Sequence, residues 1–152
     1  MKIFIGSDHA GFELKAKLIL FLKGLGYEIE DKGAFTLDSK DDYPDFIAPV
    51  ASEVSNNPEV NRGIVIGGSG QGEAMVADRF PHVRASEYYG GNLDIVRLSR
   101  EHNDSNVLSL GARFLSEKEA KEAVKIWLKT PFSGDPRHQR RLEKLEKIDE
   151  LN

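Results

Sequence analysis

Short apolar runs alternate with amphipathic stretches along the whole chain. Lys2–Gly6 (KIFIG) is a compact apolar run ending in glycine, the pattern of a buried strand. Leu14, Leu18, Phe21, Leu22 and Leu25 then recur about every 3.6 residues, which predicts a helix stopped at Gly26. Tyr27–Asp31 reads as a second strand and Lys32 to Asp42 as a polar loop. Pro44 suits the first turn of a helix running to about Ser55, with Asp42 or Tyr43 as its cap. Arg62–Ile66 gives a third strand that enters the glycine-rich segment Gly67–Gly72. A helix begins there, carries Ala74, Met75, Val76 and Ala77, and ends before Pro81. Val83–Ser86 is a fourth strand, Leu93–Arg100 a fourth helix and Asn106–Leu110 a fifth strand. Ser116 and Glu119 form a capping box ahead of Ala120, Ala123, Val124, Trp127 and Leu128, the clearest amphipathic helix in the chain. After Arg137 the sequence is highly charged, with only Leu142, Leu145 and Ile148 as a narrow apolar stripe. So thin a stripe buries poorly on its own sheet. It predicts a C-terminal helix, about 137–150, that packs on a partner subunit.

Strands alternating with helices predict a doubly wound α/β domain, a five-stranded parallel sheet sandwiched between helical layers. The 152 residues suffice for a single such domain with a real core, and no internal repeat or linker divides them. In such sheets ligands sit beyond the C-terminal ends of the strands. That rule directs attention to the segments after Gly6, Ile66, Ser86 and Leu110.

Composition narrows the classes of function. A net charge of -4 offers no basic footprint for nucleic acid and no polybasic membrane patch. Arg137, Arg140 and Arg141 nevertheless cluster around His138 as a candidate anion site. There is no apolar run long enough to span a bilayer, and the first residues read as a strand. Cysteine is absent, which removes disulfides, thiolate metal sites and any cysteine nucleophile or base. A cytoplasmic enzyme or binding domain is expected.

Three of these strand ends are rich in polar groups, counting Glu101–Asn106, which leads into the fifth strand and on to Gly111-Ala112-Arg113, and the charged tail adds a fourth candidate. In Gly6-Ser7-Asp8-His9-Ala10-Gly11, Asp8 and His9 at a strand-to-helix turn can exchange protons with ligand hydroxyls, although Asp8 is also a natural helix cap. In Gly67-Gly68-Ser69-Gly70-Gln71-Gly72-Glu73 the glycines allow close backbone approach to a ligand and a nest of N–H groups. It is neither a dinucleotide fingerprint, since Glu73 stands where the third glycine belongs, nor a P-loop. Glu73 falls in a first helical turn, where a carboxylate commonly just complements the helix dipole. The dipole lowers its pKa, so only desolvation in a closed pocket would fit it for a general base. In Glu101-His102-Asn103-Asp104-Ser105-Asn106, His102 suits proton transfer near neutral pH, and equally suits the end of a helix before a turn. Arg137 and Arg141 are four apart, on one helical face, and make either a phosphate clamp or a solvated basic face. The histidines show no metal-ligand spacing, so no metal site is expected.

Together these segments resemble the family of ribose-5-phosphate isomerase B and the galactose-6-phosphate isomerase subunits. The matching pieces are G-S-D-H-A-G at Gly6–Gly11, D-Y-P at Asp42–Pro44, G-G-S-G-Q-G-E at Gly67–Glu73, E-H-N-D-S-N at Glu101–Asn106, G-A-R at Gly111–Arg113 and R-H-x-x-R at Arg137–Arg141. The resemblance implies a Rossmann-like sheet, and a homodimer (or a tetramer) with active sites between subunits. It implies isomerisation of an aldose phosphate to a ketose phosphate through an enediolate, without metal or cofactor. Asp8, His9 and Tyr43 would line the substrate site, His102 would open the sugar ring and Asn103 would lie close by. The backbone of Gly68, Ser69, Gly70 and Gly72 would hold the enediolate oxygen, and Arg113, Arg137, His138 and Arg141 the phosphate. One branch of the family takes its base from a cysteine at the position of Gly67, the other from a glutamate at the position of Glu73. A chain without cysteine belongs with the second.

This chain departs from the family pattern in two places. Ala77-Asp78-Arg79 stands where many relatives have Ala-Asn-Lys, and Glu87–Gly91 is about two residues longer than the family pattern. Loops of this kind shape pockets, so ribose 5-phosphate is the preferred substrate while allose or galactose 6-phosphate stays open. A non-catalytic sugar-phosphate sensor would keep the arginines but would not need the acid–base set. A flavin or nicotinamide binder is suggested by fold class alone.

Overall fold

The computed structural model describes all 152 residues. Five strands form one parallel sheet in the order β2-β1-β3-β5-β4, where β1 is Lys2–Ser7, β2 Glu28–Asp31, β3 Arg62–Gly67, β4 Ala85–Tyr88 and β5 Val107–Gly111. The helices are α1 Phe12–Gly24, α2 Pro44–Asn56, α3 Gln71–Ala77, α4 Asp94–Glu101, α5 Glu117–Lys129 and α6 Pro136–Asp149. No helix is long and apolar enough to cross a membrane.

The central strands are apolar throughout because both faces are covered. On one face Ile3, Ile5, Ile64, Ile66, Leu108 and Leu110 pack against α1, α4 and α5, with Trp127 at the centre. On the other, Phe4, Val65 and Val107 meet Ile47, Val50 and Val54 of α2 and Ala77 of α3. This is the three-layer α/β/α sandwich that the alternating pattern predicts. Local signals set the helix ends. Gly26, at φ +90°, closes α1 with the Tyr27 N–H donating to Leu22 and the Gly26 N–H to Lys23, a Schellman closure. The capping box of α5 is formed in full between Ser116 and Glu119.

The fourth strand lies two residues further on than the Val83–Ser86 expected from apolarity. Val83 is buried beneath α2 and α3, outside the ladder. The next residue's N–H donates to the Asn106 side chain at 2.8 Å, and its carbonyl accepts the N–H groups of Asn106 at 3.1 Å and Val107 at 3.3 Å, which leads the chain into the ladder. Ladder pairing runs from Ala85 opposite Val107 to Tyr88 opposite Leu110.

α6 is the least embedded helix, with only His138 buried. Leu145 and Ile148 remain 44% and 54% exposed, and with Leu142 they line a cavity of about 490 Å³ against Val83, Ala85 and Ser86. Side-chain ties hold the helix to its own domain: His82 pairs with Glu146, the His82 N–H donates to Asp149 at 2.8 Å, and Arg84 reaches Glu146 at 3.0 Å.

Candidate active site

The sheet brings the ends of β1, β3 and β5 side by side. Ser7 pairs with Ile66, and Gly67 with Gly111, so the three polar segments that follow these strands share one rim. Asp8 behaves as the cap that its position allows, accepting the N–H groups of Ala10 at 2.9 Å and Gly11 at 3.4 Å. His9 stays part-exposed beside it. Its ring Nδ1 lies 2.6 Å from Asp41 Oδ1.

The glycine-rich segment folds back on its neighbours. Gly67 and Gly68 carbonyls accept the N–H groups of Ala112 and Arg113 at 2.8 and 3.0 Å. Gly70 adopts φ +83° as the residue before α3, and its carbonyl accepts the Ser109 hydroxyl at 2.6 Å. Tyr43 lies on Gly72 so closely that a Cβ there would sit 2.6 Å from the ring. The Arg113 guanidinium lies over Gly68, 3.1 Å from where a Cβ would be. Only glycine at 68 and 72 lets a tyrosine and an arginine approach this backbone.

Glu73 projects from the first turn of α3 into the space beside Gly67. A Cβ built on Gly67 would overlap the Glu73 carboxylate itself. The residue is 4% exposed. Burial pushes its carboxyl above the usual carboxylate range, the charges of Asp8 and Glu87 push the same way, and a bond from its own backbone N–H opposes them. Desolvation therefore outweighs the first-turn effect, which is the condition that sequence could not establish.

A second group forms at the other end of the sheet. His102 caps the C-terminus of α4, before β5 begins, and its ring stacks on His138 of α6 with centroids 4.1 Å apart. Burial, reinforced by His102, Arg137 and Arg141, holds His138 below the usual histidine range. Arg137 and Arg141 lie on the same helix, exposed, and Asn103 is exposed beside His102. The turn is pinned from behind. Arg100 donates to Asp104 at 2.9 Å and Arg84 to the Asp104 carbonyl at 3.0 Å, with Asp104 at φ 45°.

The expected site residues are thus divided within one chain. Asp8, His9, Tyr43, Gly68, Ser69, Gly70, Gly72, Glu73 and Arg113 share the C-terminal rim. His102, Asn103, Arg137, His138 and Arg141 stand where β5 enters the sheet. The five residues of β5 put about 16 Å between these ends. The strand-end rule finds the first group and misses the second, because Glu101–Asn106 precedes its strand.

Two further groups escape sequence patterning. Asp41 sits in the polar loop, marked only by its place beside the D-Y-P motif. Glu87, next to last in β4, accepts from Gln71 at 2.6 Å, which ties the end of β4 to the start of α3. Asp78, in place of the more usual asparagine, accepts the Ala85 N–H at 2.8 Å. Asp8, His9 and Asp41 form one cluster of metal-ligand type, but the near oxygens of both carboxylates already accept N–H groups. In the other, His82, Glu146 and Asp149, the His82 ring already pairs with Glu146, whose second oxygen takes the Arg84 guanidinium at 3.0 Å. A hollow of about 590 Å³ lies elsewhere, over Phe21, Lys121 and Lys125, and contains none of these groups.

Comparison with known proteins settles the family. The model of the Ribose/Galactose Isomerase family matches residues 3–145. The chain belongs to this family. It is 39% identical to ribose-5-phosphate isomerase B of Escherichia coli K12, over 98% of this chain and 97% of that protein. It is likewise 39% identical to ribose-5-phosphate isomerase B of Mycolicibacterium paratuberculosis, over 98% of this chain and 92% of that protein. Among solved structures, ribose-5-phosphate isomerase B of Mycoplasma genitalium with bound ribulose-5-phosphate superposes with a TM-score of 0.95, at 36% identity, covering 99% of this chain and 97% of that one. The Clostridium thermocellum ribose-5-phosphate isomerase B gives 0.92 at 43% identity and 99% coverage of both chains. The family supplies the reaction class, a sugar-phosphate aldose–ketose isomerisation. The geometry supplies the candidates for its parts.

Proposed function

We propose that this isomerase interconverts ribose 5-phosphate and ribulose 5-phosphate, with Glu73 carrying the proton between C1 and C2. The observation that carries the assignment is the buried Glu73 carboxylate filling the side-chain space of Gly67, against a backbone that presents N–H groups. A base with a raised pKa keeps useful proton affinity near neutral pH. The N–H groups of Gly68, Ser69, Gly70 and Gly72 would hold the enediolate oxygen as charge develops. Asp8, His9 and Tyr43 would line the substrate, and Arg113 would take part of the phosphate charge.

His102 for ring opening, with Asn103, and the Arg137, His138 and Arg141 phosphate ligands stand at the far end of the sheet. A complete site then joins the C-terminal rim of one copy to the His102–His138 end of another. Exposed Tyr43, Met75, Tyr89 and Phe114 around the first rim suit coverage by that second copy. A homodimer is the smallest assembly that meets this need, and a tetramer of such dimers meets it too. A cytoplasmic enzyme acting on a small molecule, with no nucleic-acid or membrane partner, completes the proposal.

Glu73→Gln tests it. Incubated with ribose 5-phosphate in deuterated water, the variant is expected to lose isomerisation and deuterium uptake while still binding phosphate. Retained turnover would sink the assignment of the base. The same NMR assay with allose and galactose 6-phosphates reads whether the segment Glu87–Gly91 admits a sixth carbon.

A further inference from the structure

Asp41 stands in the loop between β2 and α2, yet its side chain is only 8% exposed. Oδ1 accepts two N–H groups from a single residue, the His9 backbone at 3.1 Å and the ring Nδ1 at 2.6 Å. Oδ2 is buried with no hydrogen-bond partner at all. The residues are 32 apart in sequence, so tertiary packing carries the loop back across the end of β1 to make this contact. A buried carboxylate with an idle oxygen costs folding free energy, and such groups persist where something other than stability holds them.

We propose that Asp41 is a positioning residue for the isomerase reaction, fixing the His9 ring with its proton on Nδ1 so that Nε2 is the atom offered to the substrate. The proposal rests on the reading that places His9 at the substrate site. A neutral imidazole carries one proton, and an anion against Nδ1 claims it. The charged groups facing His9 are Asp41, Asp8 and Arg113. The bond to Asp41 chiefly holds the ring above the usual histidine range, Asp8 acts with it, and burial and Arg113 oppose them. In the protonated ring Nε2–H becomes a charged donor, suited to an anionic oxygen of a sugar phosphate.

Asp41→Asn keeps the shape of the side chain and removes its charge. In full-length protein, nitrogen NMR of the His9 ring is expected to show titration at lower pH. The neutral ring should no longer be confined to the Nδ1-protonated form. The KM for ribose 5-phosphate should rise about tenfold with kcat within about twofold. Its increase toward alkaline pH should also begin earlier than in the wild type. Unchanged His9 titration together with unchanged KM would overturn the proposal. The wild-type protein alone provides a second test, independent of whether the variant folds. If its neutral His9 ring carries the proton on Nε2, Asp41 does not play this role. His9→Ala with unaltered KM would instead remove the placement of His9 at the site, and the proposal with it.

Discussion

The two ends of the sheet are furnished in different materials. At the C-terminal rim, the proposed chemistry rests on backbone. Glycines let Tyr43 and Arg113 press onto the chain, Gly70 turns it, and the Glu73 carboxylate takes the room that a side chain at Gly67 would need. At the opposite end, the proposed binding groups are side chains standing on others. His102 stacks on His138, and Arg84 and Arg100 brace the turn at Asp104, while Glu146 tethers α6. Backbone fixes a reacting atom to within fractions of an ångström, as moving a proton between adjacent carbons demands. Long side chains tolerate more movement, which is adequate for holding a phosphate. The same chain carries the precise half and the tolerant half, turned away from each other.

The sharpest way to break this comparison is to mix two defective proteins. Glu73→Gln and His102→Ala are each expected to lose at least about a hundredfold in kcat/KM. Co-expressed, they should recover about a quarter of wild-type activity, because mixed dimers contain one site with both intact halves. No recovery in the mixture would mean that each chain completes its own site. Next in size is Gly67→Ala, which leaves Glu73 in the sequence but evicts its carboxylate. A fall of about tenfold or more in kcat is expected in steady-state assays, with KM for the sugar phosphate changed less than kcat, since three of the four proposed phosphate ligands, Arg137, His138 and Arg141, stand on α6 away from Gly67. Unchanged kcat would show that the carboxylate works from another position.

The smallest effect sharpens the contrast in stability. Folded Glu73 keeps its proton to higher pH than the unfolded chain, where a glutamate titrates near 4.5. Between those values the native state binds more protons, so this residue's contribution to stability falls as pH rises through the window. Glu73→Gln escapes that loss. At neutral pH it should melt a few degrees higher than the wild type, and the gap should close in acid. Equal melting temperatures across the pH range would mean that the carboxylate is not desolvated.

Much of this was legible in advance because it is local. The apolar runs of β1, β3 and β5 marked the sheet, the glycine after α1 stopped it, and Ser116 with Glu119 announced α5. β4 was misplaced because the Arg84 N–H is taken by the Asn106 side chain, 22 residues away, while only its carbonyl reaches β5, and no short window on the sequence contains both. Glu73 was named from the motif set, while the burial that fits it for its task is a tertiary property. The dipole argument alone pointed the other way. Asp41 was read as loop because nothing in its neighbourhood announces the return to His9. The placement of His102 was available from topology alone, since a segment that enters a strand and one that leaves it lie at opposite ends.

The overlap at Gly67 also has an evolutionary meaning. Cysteine at this position would bring a thiol to the volume that the carboxylate now fills, and would expel the carboxylate in the same act. Codons for glycine and cysteine can differ by a single nucleotide. If Glu73 carries the proton as proposed, one mutational step would replace that carrier with a thiol, without passing through a form that had neither. The glutamate left behind would then be free to drift.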